Sequence, residues 1–324
     1  MNIGPIKLKN KTVFAPLAGI SDLPLRLMVK KAGCALVYSE MVSSHGLVYK
    51  SPKTSRLLES CPQEKPLAVQ LFGSDPAIMA EAAAMVQCLG ADIIDINFGC
   101  SVRKILKSGS GAALMKTPDK AEKLLKATRK AIDIPLSIKI RSGWDYTGDQ
   151  AIKIAKIAQD CGVDCIAIHP RTATQGFGGQ ADWSLIKTLK ERVSLPIIGN
   201  GDVLTSSDAI RLQRQTNCDA IMVGRGAIGN PLLFSQIIAR FQDRPEPCIN
   251  IEDRNKMMLD YLDAVINYYG EKTACYLIRS RLCWFVKGLP LSSKFRISIR
   301  KVSSRAEALL KIKEYFNTLN NDTK

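Results

Sequence analysis

The stretch LSIKIRSGWDYTGDQAIKIAKIAQDCGVDCIAIHPR, residues 136–171, decides the fold. Residues 136–140 form a short apolar run of the kind that suits a strand buried on both faces, with Lys139 and Arg141 at its end. Residues 149–161 then follow a helical amphipathic period, and Gly162 stands where such a helix would stop. A second buried run, 165–168, ends in His169 and Arg171. Strand, helix and strand in this order make a parallel β-α-β unit.

The same alternation extends outward in both directions. Further strand-like runs are expected at 12–15, 36–39, 67–71, 93–96, 197–198 and 220–223, and amphipathic helices at 77–89, 118–132 and 183–193. Gly33 and Gly90 fall at helix stops, and Ser74, Thr117 and Ser206 near helix starts. Eight such units in the first 225 or so residues suit a closed (β/α)₈ TIM barrel; an open doubly wound sheet is the competing arrangement. Polar residues collect where the strands end: Pro16, Glu40, Gln70, Asn97, Lys139 with Arg141, His169 with Arg171, Asn200 with Asp202, and Gly224 with Arg225. In a barrel all these ends open onto one rim, where barrel enzymes hold their active sites.

Gly199-Asn200-Gly201-Asp202 and Val223-Gly224-Arg225-Gly226 follow the last two strands, the usual place for a phosphate held by backbone N–H groups. Taken alone they read as a phosphate site with Arg225 as its cation, and a pair of tight turns is the alternative. Lys139 in the barrel mouth needs an anionic or carbonyl partner, such as the N1 and O2 edge of a reduced flavin. Gln70 offers an amide to a ring edge, and Pro16-Leu17-Ala18 a flat bed beneath one. Together these residues describe FMN rather than a sugar phosphate.

Asp95-Ile96-Asn97-Phe98-Gly99-Cys100-Ser101 continues through Arg103, Lys104 and Lys107 to Gly109-Ser110-Gly111. Among ten cysteines burial is the ordinary expectation, but Cys100 falls on a loop over the pocket, in a basic, glycine-rich setting. A thiol with an ordinary pKa of roughly 8.5 is mostly protonated at neutral pH and can act as a general acid. Reducing the C5=C6 bond of a uracil needs such an acid at C5, with hydride reaching C6 from flavin N5. Asn97 could hold the base edge.

At this point the chain resembles the tRNA-dihydrouridine synthases, and within them the bacterial B type. The resemblance rests on Ala15-Pro16-Leu17-Ala18-Gly19, Asn97-Phe98-Gly99-Cys100, residues 107–114, His169-Pro170-Arg171-Thr172, Gly199-Asn200-Gly201-Asp202, and Gly224-Arg225 through Gly229-Asn230-Pro231. It implies FMN as prosthetic group, NADPH (or NADH) as reductant, a D-loop uridine in tRNA as substrate and Cys100 as the catalytic acid. By position Pro16, Leu17, Ala18, Gln70, Lys139, Asn200, Gly201, Asp202, Gly224 and Arg225 match the family's FMN contacts. His169 on the same rim is placed with them, and Asn97, Arg141 and Arg171 on the substrate side. Ser101 stands where the family commonly has proline, and Pro170 where it commonly has glycine.

Residues 242–247, with Pro245 and Pro247, read as a linker between a catalytic unit at 1–242 and a helical one at 243–324. Helices are expected at 253–268, 273–285 and 304–319. From Arg279 to Arg305 there are eight basic residues and no acidic one, interleaved with Trp284, Phe285 and Phe295. Either this is a solvated face over core aromatics, or it grips folded RNA. The resemblance places a tRNA-binding module here and makes Arg279, Lys294, Arg296 and Arg300 the candidate contacts. The excess of 46 basic over 30 acidic residues suits a polyanionic partner and equally suits simple solubility.

With two histidines and no C-x-x-C pair, neither a zinc site nor a disulfide framework is expected. No apolar run reaches the ~18 residues of a membrane span. The basic start followed by residues 13–20 imitates a signal peptide, but Pro16, Gly19, Asp22 and Arg26 break it, so a cytoplasmic protein is expected; a monomer is expected as well. Two other classes compete with this reading. A small-molecule FMN barrel, such as a dihydroorotate dehydrogenase or ene-reductase, would not need the basic tail. An RNA-binding protein without activity would not need Cys100 or a flavin.

Overall fold

Strands whose residues are apolar at nearly every position need cover on both faces, and here they receive it. The structure, a computed structural model, describes residues 1–321. Eight parallel strands form the barrel: β1 (Thr12–Phe14), β2 (Leu36–Tyr38), β3 (Leu67–Phe72), β4 (Ile93–Phe98), β5 (Leu136–Gly143), β6 (Cys165–Thr172), β7 (Ile197–Asn200) and β8 (Ala220–Val223). Each pairs with the next, β8 pairs with β1, and β2 closes the ring on β3 through Val37 opposite Leu67 and Tyr38 opposite Ala68.

Alternate residues point inward. Val13, Tyr38, Ala68, Ile93, Ala167, Ile198 and Met222 belong to an inner cluster distinct from the apolar shell between strands and helices. An N-terminal hairpin, Asn2–Ile3 against Ile6–Lys7, stops the lower end, with Ile3 and Leu8 in the same inner cluster. Two to four residues further along the strands the inward positions are polar: Gln70, Asn97, Lys139, Arg141, His169 and Asn200. That switch along one strand face separates a core layer from a site layer.

The surrounding helices are α1 (Leu23–Lys31), α2 (Pro76–Cys88), α3 (Pro118–Ala131), α4 (Asp149–Asp160), α5 (Trp183–Arg192), α6 (Ser206–Thr216) and α7 (Leu233–Phe241). The unit after β2 departs from the expected pattern, having two short helices, Ser44–Val48 and Pro52–Arg56, in place of one long one. In the barrel, helix starts lie within a residue of those expected. Asp75, not Ser74, caps α2 by accepting from the Ile78 N–H at 3.0 Å. Thr205, not Ser206, forms a reciprocal capping box with Asp208. β5 and β6 run longer than their apolar cores suggest, so Arg141 and His169 face each other as paired strand residues.

Residues 242–250 connect to the C-terminal helices α8 (Ile251–Tyr269), α9 (Glu271–Phe285), α10 (Ser292–Ser298) and α11 (Arg305–Asn321). Their buried faces, including Tyr261, Ile278, Phe285, Phe295 and Phe316, merge with the outer barrel shell in one apolar cluster. The chain after β8 touches them through its backbone: a Cβ on Gly229 would overlap the Trp284 carbonyl. Among the described residues no helix is long and apolar enough to cross a membrane.

Candidate active site

The polar strand ends enclose a cavity of about 470 Å³. It is lined by Pro16, Leu17 and Ala18 after β1, Gln70 of β3, Asn97 and Cys100 at the end of β4, Lys139 and Arg141 of β5 and His169 of β6, with Asn200, Gly201, Asp202, Gly224 and Arg225 completing the far wall. Arg171 does not line it, and neither do Arg279, Lys294, Arg296 or Arg300.

A chain of hydrogen bonds runs across the barrel beneath Cys100. Asp95, fully buried on β4, accepts from Ser137 Oγ at 2.6 Å and from Gln70 Nε2 at 2.6 Å. Gln70 Oε1 accepts from Asn97 Nδ2 at 2.8 Å, and Asn97 Oδ1 accepts from the N–H of Gly99 at 3.0 Å and of Cys100 at 2.8 Å. Each amide is thereby fixed in orientation. Burial raises the Asp95 carboxyl to about 6, against the bonds from Gln70 and Ser137 and the charge of Lys139.

Arg141 secures the same loop from the other side. Its Nε donates to the Gly99 carbonyl at 2.8 Å, and Nη1 to the carbonyls of Thr172 and Gly176 at 3.0 and 2.9 Å. The glycine-rich continuation explains itself here. Gly111 has φ +62°, and a Cβ on it would lie 2.6 Å from the Cys100 carbonyl oxygen, so glycine lets Ala112 N–H bond that oxygen at 3.0 Å. Cys100 is thus held through its backbone while its side chain lines the cavity, and burial pushes its thiol above the usual value, against the Val102 N–H and the Arg141 charge. The thiol is protonated at neutral pH.

Lys139 Nζ donates to Asn200 Oδ1 at 3.2 Å, and Asn200 Nδ2 in turn donates to the Met222 carbonyl at 2.8 Å. Burial, followed by repulsion from Arg141, lowers the lysine to about 8. Among the described residues it has no ion pair, so the cavity holds a cation in want of an anion. The half-exposed Arg225 guanidinium is a second cation on this wall; among the described residues its one ion pair is with Asp202, 3.7 Å away.

Asp202 is occupied elsewhere. Arg171, 2% exposed, donates through Nη2 to both of its oxygens at 2.8 Å, to the Gly179 carbonyl at 2.6 Å, and through Nε to the Gly178 carbonyl at 3.0 Å. Arg171 therefore rivets the loop after β6 to the loop after β7 and offers nothing to the cavity. Its Nη1 lies 3.1 Å from His169 Nε2. Since arginine only donates, Nε2 accepts and Nδ1 carries the ring proton. Burial, then the charges of Lys139, Arg141, Arg171 and Arg225, depress His169 to about 2, so the ring is neutral.

Sequence reasoning missed Phe177. It lines the cavity, is 59% exposed, and has its ring centroid 4.8 Å from Arg225 Cζ and 5.8 Å from Arg141 Cζ. An aromatic among glycines, Gly176-Phe177-Gly178-Gly179, was the available signal. In the tail, Lys294, Arg296 and Arg300 are exposed, whereas Arg279 is half-buried and donates Nε to the Val302 carbonyl at 3.0 Å. No cluster of three or more potential metal ligands occurs among the described residues.

Comparison with known proteins adds to this geometry. The chain is 36% identical over 325 residues to a probable tRNA-dihydrouridine synthase of Rickettsia bellii, the match covering 99% of each. It is 35% identical over 322 residues to tRNA-dihydrouridine synthase B of Pasteurella multocida, covering 98% of this chain and 96% of that one. Two solved structures share the fold at a TM-score of 0.59: histamine dehydrogenase from Rhizobium sp. 4-9, at 15% identity over 82% of this chain, and 2-naphthoyl-CoA reductase, at 16% over 76%. The chain spans about half the length of each, 50% and 52%. At that identity they bear on the barrel alone. The family model described as Dihydrouridine synthase (Dus) matches residues 13–321, and the chain belongs to that family.

Proposed function

We propose that this chain reduces the C5=C6 bond of a D-loop uridine in tRNA to 5,6-dihydrouridine, using FMN as prosthetic group and NADPH or NADH as reductant. Cys100 carries the reading: a protonated thiol on a loop pinned by Asn97 and Arg141, lining a cavity that also holds an unpaired lysine.

The residues present fit a flavin mononucleotide. Arg225 and the Gly201 and Gly224 backbones would take its phosphate, Lys139 and Gln70 the polar edge of its ring, and Pro16, Leu17 and Ala18 would lie against its face. Bound there, FMN supplies the two-electron reducing power. Cys100 donates the proton to C5 of the base. Asn97 and Arg141 keep that thiol placed, and Phe177 stands at the rim against the Arg225 guanidinium.

FMN binding belongs mainly to residues 1–242. Most tRNA affinity belongs to residues 243–324, where Lys294, Arg296 and Arg300 offer exposed charge to phosphates. The test is direct. The purified chain, an unmodified tRNA transcript and NADPH are incubated, and dihydrouridine is quantified by mass spectrometry. Dihydrouridine at a single D-loop position is expected; oxidation of dihydroorotate or reduction of enones without any product in tRNA would overturn the proposal.

A further inference from the structure

One arginine of the basic run does not face solvent. Arg281 on α9 is 4% exposed. It sits three residues after Ile278 and four before Phe285, both fully buried, so the helix turns it inward with its apolar stripe. Its Nη1 meets the carboxylate of Asp22, 259 residues earlier in the chain, and also lies 3.1 Å from Tyr261 Oη. Asp22 caps α1 by accepting from the Leu25 N–H at 3.2 Å, and it takes a further bond from Tyr269 Oη at 3.0 Å. Both ions are almost entirely removed from water, so each depends on the other.

The other end of the guanidinium does something the ion pair does not require. Arg281 Nη2 donates to the Gly19 carbonyl at 2.8 Å. Gly19 belongs to the turn after β1, whose Leu17 carbonyl accepts from the Ile20 and Ser21 N–H groups at 3.0 and 2.9 Å. Glu40, following β2, grips the same residue from the barrel side by accepting from the Gly19 N–H. Leu17, Ala18 and Ile20 of this turn line the cavity. The turn is therefore held between a carboxylate of the barrel and a guanidinium of the tail.

We infer that Arg281 is a positioning residue of the cofactor bed, so that the C-terminal helices complete the flavin site as well as binding RNA. The inference rests on the flavin reading above for its ligand, and on the Arg281–Gly19 bond for its geometry. A planar fork serves two acceptors at once, Asp22 and Gly19; a lysine, as a point charge on a flexible stem, satisfies the carboxylate and releases the carbonyl.

Arg281→Lys is the primary test, because it keeps a cation beside Asp22. Arg281→Met with Asp22→Asn is the second variant, removing both charges together so that neither is left buried alone. Phe316→Leu, in the buried face of α11, controls for general loosening of the tail. Amide exchange is followed by mass spectrometry over residues 16–22 in the cofactor-free full chain, and FMN affinity by flavin fluorescence. Both Arg281 variants should exchange faster at residues 17–21 and bind FMN about tenfold more weakly, as for one lost charge-assisted hydrogen bond. Phe316→Leu should lower the melting temperature and leave both readouts at wild type. Wild-type exchange and FMN affinity in a folded Arg281 variant would overturn the inference, as would the same losses in Phe316→Leu. Should the wild-type chain bind no flavin, the flavin reading falls, and unchanged exchange in Arg281→Lys would still overturn the clasp.

Discussion

The carboxamide oxygen of Asn97 accepts the backbone N–H of Cys100 at 2.8 Å, and its amide nitrogen is held by Gln70 at 2.8 Å. Asn97 lines the cavity as the candidate contact to the base, and its oxygen also braces the loop that carries the thiol. Asn97→Ala should free that loop. Alkylation of Cys100 by iodoacetamide should accelerate, and single-turnover dihydrouridine formation should slow by about tenfold or more, as for one or two lost buried hydrogen bonds. Equal alkylation rates in variant and wild type would separate Asn97 from the loop.

Lys139 sits at about 8 because burial and Arg141 disfavour its charge. An electron-rich ring edge beside it would favour the charged form and raise that value. Above pH 8 the free site then holds mostly neutral lysine and the FMN complex holds charged lysine, so binding takes up a proton and affinity falls as pH rises through that window. Well below pH 8 the lysine is charged in both states and contributes no uptake. Calorimetry at pH 7 and 9, in buffers of different ionisation enthalpy, should show the extra proton at pH 9 only, and Lys139→Met should abolish it. An identical proton count at both pH values would remove Lys139 from contact with the ring.

Arg225 is half exposed and only loosely paired with Asp202, which Arg171 holds independently. Arg225→Ala should leave that loop in place and weaken FMN binding by about ten- to a hundredfold, the loss of a charge-assisted phosphate contact. Riboflavin, which lacks the phosphate, should bind variant and wild type equally. Equal losses for both flavins would place the phosphate elsewhere.

Lys294, Arg296 and Arg300 are exposed, unlike the half-buried Arg279 and the buried Arg281. Changing these three to Gln should weaken tRNA binding and make the slope of log K against log salt shallower by roughly two to three units, taking about 0.7–0.9 per phosphate. FMN content and NADPH oxidation without tRNA should not move. An unaltered salt slope would shift the RNA surface to the exposed Arg103, Lys104 and Lys107 beside the Cys100 loop.

The barrel and its rim were legible because each strand carries its own signal. Lys139, His169 and Asn200 occupy inward positions that turn polar at one end, and alternation alone places them in one cavity. What stayed hidden depends on contacts between distant segments. Arg171 looks like a pocket residue by register, yet Asp202, at φ +55°, folds back to take its guanidinium. Phe177 lies in a loop with no periodicity to read. Arg281 blends into a basic run, and only its spacing from Ile278 and Phe285 hints that it points inward.

The most direct test of the proposed chemistry is Cys100→Ala in the full chain with tRNA and saturating NADPH. FMN content and flavin reduction by NADPH should match wild type, because neither depends on the thiol. Dihydrouridine formation should fall by the ~10²–10⁴-fold typical of a lost general acid. A wild-type rate of dihydrouridine formation in Cys100→Ala would contradict the assignment of the proton to this cysteine.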